Sequence, residues 1–432
     1  MNTLATLQFF LLLLLAGMMG AASPAYAQAP QAQKADAATT TAVPTETLRP
    51  EVAKLLVAAQ EKIKARQFSD AMQKFTEVDL VANKTPYEIF VMERMRGTSA
   101  LALNEHATAA KSFQTIIASG RLNASDRLLY TEAVTGAHYQ LKDYKQAADW
   151  AARALKEGST QPQTRILLIQ SLYLADDFAR AKTEIDTAIA IEDKAGRTMS
   201  EELLKMQGRT ALKLNDTNAY LGALEKLVIH YPGKLYWADF IARVASRPGI
   251  SDRYMQDVFR LQLALGETLT GAQYLFLAQN AMQAGFPIDA RQLLDKGMAA
   301  GVMGSGADFR QLRDKAAKDA DDDMKHIARS AADAEKGRDG PGLFNAGLNH
   351  VINGNKEKGI AMMEQGIKRP GLRRPEDFKL RLAITYAMSG ESAKAAEMLA
   401  TITGPDGLTE VARLWAAYAK PAKPAKPVTA AQ

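Results

Sequence analysis

Histidine, aspartate, cysteine and glycine are the residues that most often carry metal, nucleophilic or phosphate chemistry. In this 432-residue chain none of them is spaced for it. The histidines His106, His138, His230, His326 and His350 are dispersed, and none stands four residues from another, so a helical pair of metal ligands is not formed. Cysteine is absent, which removes thiolate ligands, thiol nucleophiles and disulfides. The acids Asp319, Asp321, Asp322 and Asp323 stand beside His326, but consecutive positions on a helix point apart. No glycine-turned loop of the calcium-binding type accompanies them. Gly301-Val-Met-Gly-Ser-Gly306 is glycine-rich yet follows no strand, so it reads as a break between helices rather than a phosphate cradle. The expectation is a non-enzyme with no metal and no cofactor.

The net charge of +6 is spread along the chain, and its basic clusters are short, such as Lys368-Arg369 and Arg373-Arg374. Nucleic-acid binding is not expected from that distribution. Apolar residues make up 47% and charged residues 24%, ordinary values for a folded chain. Leu7 to Ala22 is almost wholly apolar and is followed by Ala25-Tyr26-Ala27. Small residues at these positions predict a signal peptide over 1–27, cleaved after Ala27, and a periplasmic location with no stable membrane span afterwards. The alternative is an uncleaved inner-membrane anchor facing the periplasm. The apolar run is shorter than the ~20 residues that span a bilayer comfortably. Residues 28–47, rich in Ala, Gln, Thr and Pro, predict a disordered leader.

The elements that position any binding surface are read from a repeat. Tyr144 and Phe178 are 34 apart, as are Ala147 and Ala181, Ala154 and Ala188, and Leu155 and Ile189. Small residues at close-approach positions, with an aromatic just after a short turn, describe paired helices stacked in an array. The stretch from Leu141-Lys-Asp-Tyr144-Lys-Gln-Ala147 through Ala154-Leu155, repeated at Ala175-Asp-Asp-Phe178 through Ala188, resembles the tetratricopeptide (TPR) family. That predicts an all-α fold, a TPR-like α-solenoid of antiparallel helix pairs, in two segments joined by a polar helix. The array runs over 48–303, with units near 51–83, 90–122, 127–160, 161–195, 200–233, 235–269 and 270–303. The unit at 235–269 is degenerate. A polar linker helix covers 304–342, a C-terminal pair with a capping helix covers 343–419, and the Lys/Pro-rich tail 420–432 is extended and solvated.

The resemblance implies that a concave surface is lined by the first helix of each pair. Its groove positions fall on Glu132, Tyr139 and Gln140 in one unit, Gln163, Gln170 and Tyr173 in the next, and Lys205, Arg209 and Lys213 in the third. Amides, tyrosines and cations there suit an extended peptide of acidic character or a free carboxylate. The segments Arg49-Pro-Glu51, Asn83-Lys-Thr-Pro-Tyr87-Glu88, His230-Tyr-Pro232, Gln283-Ala-Gly-Phe-Pro287 and Arg374-Pro-Glu-Asp377 resemble a proteobacterial set of TPR proteins associated with TonB-dependent transport systems. This implies an interaction scaffold whose protein or peptide partner is a component of such a system. An envelope-biogenesis or cell-wall coordinator is the second reading, and a hydrolase hidden in 235–336 the third. Oligomeric state is not readable from the sequence.

Overall fold

A computed structural model describes residues 46–304 and 306–420. The expected signal peptide, nearly all of the leader and the Lys/Pro tail lie outside the described residues. Those described form twenty α-helices and one short 3-10 turn, with no strand among them. They fall into two compact units, one up to Ala195 and one from Gly196.

The first unit contains α1 (Pro50–Lys64), α2 (Phe68–Asp79), α3 (Pro86–Ala102), α4 (His106–Ala118), α5 (Ala124–Gln140), α6 (Tyr144–Lys156), α7 (Pro162–Leu174) and α8 (Phe178–Lys194). Each helix packs on the next, and α5 also packs on α7, as stacked pairs require. The buried side of α1 is Val52, Leu56, Ala59 and Ile63, a 4-3-4 spacing that keeps one stripe inward. Alanine fills α6, where Ala147, Ala148, Ala151 and Ala154 are buried and let neighbouring helices approach. Proline opens α1, α3 and α7, where its missing N–H costs nothing.

One turn recurs in both units. Residues Arg66, Asn104, Lys142, Asp176 and Asn215, and later Gly285, Gly354 and Gly390, all take left-handed backbone between the two helices of a pair. After each, the next N–H reaches back five residues: Asp143 to His138 at 3.0 Å, Asp177 to Leu172 at 2.9 Å, Asp216 to Ala211 at 2.9 Å, Asn355 to His350 at 2.8 Å, Glu391 to Tyr386 at 2.9 Å. This bond closes the first helix and aims the chain back along it. Asp143, Asp177 and Asp216 then cap the second helix through their carboxylates. The repeat is thus visible in the backbone as well as in the side chains.

The second unit begins with α9 (Glu201–Lys213), α10 (Thr217–His230), α11 (Lys234–Ala245), α12 (Met255–Ala264), α13 (Gly271–Gln283) and α14 (Pro287–Ala299). Then come α15 (Ala307–Lys336), α16 (Gly340–Ile352), α17 (Lys356–Gly366), α18 (Pro375–Met388), α19 (Ser392–Thr401) and α20 (Leu408–Ala419). The 30-residue α15 packs against α13, α14 and α16 inside this unit. Its sparse stripe of Phe309, Ala316, Ala320 and Ala331 is buried. Its acids diverge as helix geometry requires: Asp319 pairs with Lys315, Asp321 with Arg291 and Asp322 with Lys325, while Asp323 accepts from Asn349.

The expected capping helix α20 does more than cover α18 and α19. It also packs against α10, α11 and α12, closing the second unit on itself. Trp415 is fully buried at its centre. Burying a side chain of that size contributes roughly 4–6 kcal/mol at ~25 cal/mol per Å².

Candidate partner-binding surface

In the first unit, Tyr139 is the penultimate residue of α5 and Tyr173 that of α7, so both stand just before the recurring turn. Each is half-buried and packs edge-on against the aromatic that follows the turn. Tyr139 meets Tyr144 at 5.7 Å between ring centres, and Tyr173 meets Phe178 at 5.3 Å. The two pairs repeat the 34-residue step, so the tyrosines are presented alike by rigid neighbours. Burial, with a smaller contribution from Tyr144, raises the Tyr139 phenol above its ordinary pKa, so it remains a neutral donor and acceptor. Gln140, Gln163 and Gln170 are partly exposed.

Glu132 has another role. It is only 7% exposed. Its Oε1 accepts from the Ser159 hydroxyl and, at 3.0 Å, from the Thr164 hydroxyl on α7. The carboxylate therefore ties α5 to the start of α7, and a ligand would meet it only by displacing these donors.

In the second unit, Lys205, Arg209 and Lys213 are spaced by four along α9 and so share a stripe. Lys205 is half-buried and held by Glu201 at 2.9 Å. Glu201 also accepts from the Tyr236 hydroxyl at 2.5 Å, joining α11 to α9. The hydrogen bond with Glu201 is the main cause that raises the Lys205 pKa. Arg209 is exposed and 3.6 Å from Glu202, and Lys213 is exposed at the last turn. The stripe therefore places one half-buried cation beside two exposed ones.

Two histidines, His138 on α5 and His350 on α16, stand at the same place in their pairs, five residues before the residue that follows the left-handed turn. His138 lies 2.9 Å from the Gln114 amide and 3.4 Å from Asp143, beside the turn. His350 is buried, and burial lowers its pKa, so the ring is neutral packing material. Among the described residues no group of three or more His, Asp or Glu side chains gathers to hold a metal ion. No described helix is long and apolar enough to cross a membrane.

A polar seam in the second unit is absent from the expected site residues. Tyr254 donates to Asp377 at 2.8 Å, Arg253 pairs with Asp406 at 3.0 Å, Arg260 pairs with Asp289, and Asp257 is buried between them. Its signal was an aspartate inside an inward stripe: Asp257 stands three residues after Tyr254 and four before Leu261, both buried.

No protein-family model and no curated protein matches the chain. Among solved structures it is similar to a thermophilic TPR protein of Thermus thermophilus, at 14% identity over 45% of this chain and 99% of that one, TM-score 0.25. It is similar to pilF of Pseudomonas aeruginosa at 15% identity over 44% and 97%, TM-score 0.22. Yeast Tom70 is similar at 12% identity over 85% and 95%, TM-score 0.24. Superposition at this level carries no weight. The TPR-like α-solenoid is established by the chain's own helix pairs and their recurring turn.

Proposed function

We propose that this chain is an exported interaction scaffold that holds an extended peptide or a partner protein on the first-helix faces of its pairs, as an accessory of a TonB-dependent transport system. The observation that carries the binding role is the in-phase presentation of Tyr139 and Tyr173, each braced by the next aromatic, with the partly exposed amides of Gln140, Gln163 and Gln170 on the same two helices. Aromatic rings and amides on a fixed frame supply contact area and backbone hydrogen bonds to an extended chain at little ordering cost. In the second unit, the outward cations Arg209 and Lys213 favour a partner segment bearing carboxylates. Export rests on the apolar run and the Ala25-Tyr26-Ala27 site, and the transport association on the sequence resemblance.

Crosslinking in cells followed by mass spectrometry tests this reading. Recovery of TonB-system components is the expected result, and recovery of cell-wall synthases instead would replace it with the envelope-coordinator reading. Changing Lys205, Arg209 and Lys213 together to Glu is expected to weaken partner recovery at least tenfold, a loss of ~1.4 kcal/mol or more. Unchanged recovery would remove the cationic stripe from the site.

A further inference from the structure

The second unit is closed by contacts between residues far apart in sequence. The Trp415 indole N–H donates to the Asp257 carbonyl at 3.0 Å. Ser251 N–H donates to the Asp406 carbonyl at 2.9 Å, and Arg253 pairs with the Asp406 carboxylate. Arg413 pairs with Glu225, and Arg247 with Glu410 at 3.3 Å. Gly407 packs so closely that a Cβ there would lie 2.2 Å from Ile250 Cδ1. The C-terminal helix is thus strapped across α10, α11 and α12 by ion pairs on its flanks and by Trp415 at its centre.

Under that strap lies Asp257, only 5% exposed. The charged groups around it are nearly all committed elsewhere. On its own segment, Arg253 serves Tyr254 and Asp406, while Arg260 pairs with Asp289 of α14. From α18 come Asp377, which accepts from Tyr254, and Arg381. From α20 come Glu410 and Arg413, paired with Arg247 and Glu225. On α11, Asp239 and Arg243 pair with each other, and α13 carries no charged residue. The Asp257 side chain is thus buried at the residue whose backbone carbonyl Trp415 of α20 grips.

We propose that this seam is an acid-tightened latch: α20 docks more firmly when the Asp257 carboxyl holds a proton and loosens as the group becomes charged. Burial, only partly opposed by Arg381 and Arg260, pushes the Asp257 pKa up to about 6. Undocking α20 returns the group to its ordinary range. The docked state therefore binds the proton more tightly, and acidification stabilises it.

The test is hydrogen exchange of the α20 backbone amides in the full chain at about pH 5 and about pH 7.5, corrected for intrinsic exchange. Protection is expected to fall about tenfold between the two. In Asp257→Asn the pH dependence should vanish, with protection at the higher pH equal to that of the parent at the lower. A parent whose protection changes less than twofold, or a variant that keeps the dependence, overturns the latch. Should Asp257→Asn not fold, Arg381→Gln serves, since removing that cation must move the midpoint of the protection change to higher pH. A midpoint that stays or falls overturns the proposal equally.

Discussion

Helices α16 and α17 cross with glycine against glycine, and the crossing sets a quantitative expectation for Gly359→Ala. A Cβ built at Gly359 would lie 2.5 Å from the Gly347 carbonyl oxygen, 2.6 Å from Val351 Cγ2 and 2.8 Å from the Val351 nitrogen. Ordinary Cβ contacts begin near 3.4 Å, so the helices must part by about 1 Å. Two of the three obstacles are backbone and cannot swing away. Alanine adds ~1 kcal/mol of helix propensity. Overpacking a tight interface costs about 1–3 kcal/mol, and parting the helices also forfeits dispersion between Met362, Met363 and α16. The net expectation is a loss of ~2 kcal/mol. Guanidinium unfolding followed at Trp237 and Trp415 reads it as a lowered midpoint with an unchanged slope. Gly222→Ala on α10 is the matched control. Its nearest neighbour is Arg413 Nη2 at 3.8 Å, so propensity should prevail and stability rise by ~0.5–1 kcal/mol. If Gly359→Ala leaves the midpoint where it was or raises it, the close crossing is not what holds this pair together.

The remaining expectations follow from the caps and turns. Glu88 on α3 is fully buried, accepts from the backbone and guanidinium of Arg49, and completes a capping box with Thr85. The Arg49 hydrogen bonds above all hold its pKa down to about 2. Because the folded value is depressed, its stabilisation is complete above about pH 4.5 and is lost as pH falls toward 2. Glu88→Gln should therefore destabilise the first unit at neutral pH and flatten its acid-unfolding curve, read by circular dichroism. Asp257 in the second unit has the opposite sign, gaining stability as pH falls from about 6 toward 4. Lys142 sits at φ 59° in the recurring turn. Lys142→Gly should raise stability by ~0.5–1 kcal/mol, since relief of left-handed strain outweighs the added freedom of the unfolded chain. A lowered midpoint would contradict that reading of the turn.

Much of the fold was legible because its signals are local. The 34-residue step placed α5 to α8, and proline and acidic first turns marked helix starts, whereas α15, expected as a linker between two segments, packs inside the second unit, and the chain divides at Ala195 instead. The closure of the second unit was not legible. Nothing in the local pattern of Leu408–Ala419 distinguishes a helix that caps α19 from one that also reaches α10, and the Arg413–Glu225 pair joins residues 188 positions apart. The expected site residues are groove positions implied by the family resemblance, and a position in a repeat does not report occupancy. Glu132 shares the face of Tyr139 but is engaged by Ser159 and Thr164, and Lys205 shares the stripe of Arg209 but is held by Glu201 and Tyr236. These partners come from neighbouring helices, whose side chains a one-helix projection cannot supply. Asp257 carries no sequence signal of its own, because one acid in an apolar stripe gains meaning only from the helices that enclose it.

Photo-crosslinking from the α7 face tests the scaffold reading most directly. A photoreactive residue at Gln170, between the amide and aromatic groups of that face, should give a discrete partner adduct in cells. The same group at Thr187, exposed on α8, should give none. Identical adduct patterns from the two positions, or no adduct from Gln170, would contradict binding on the first-helix faces.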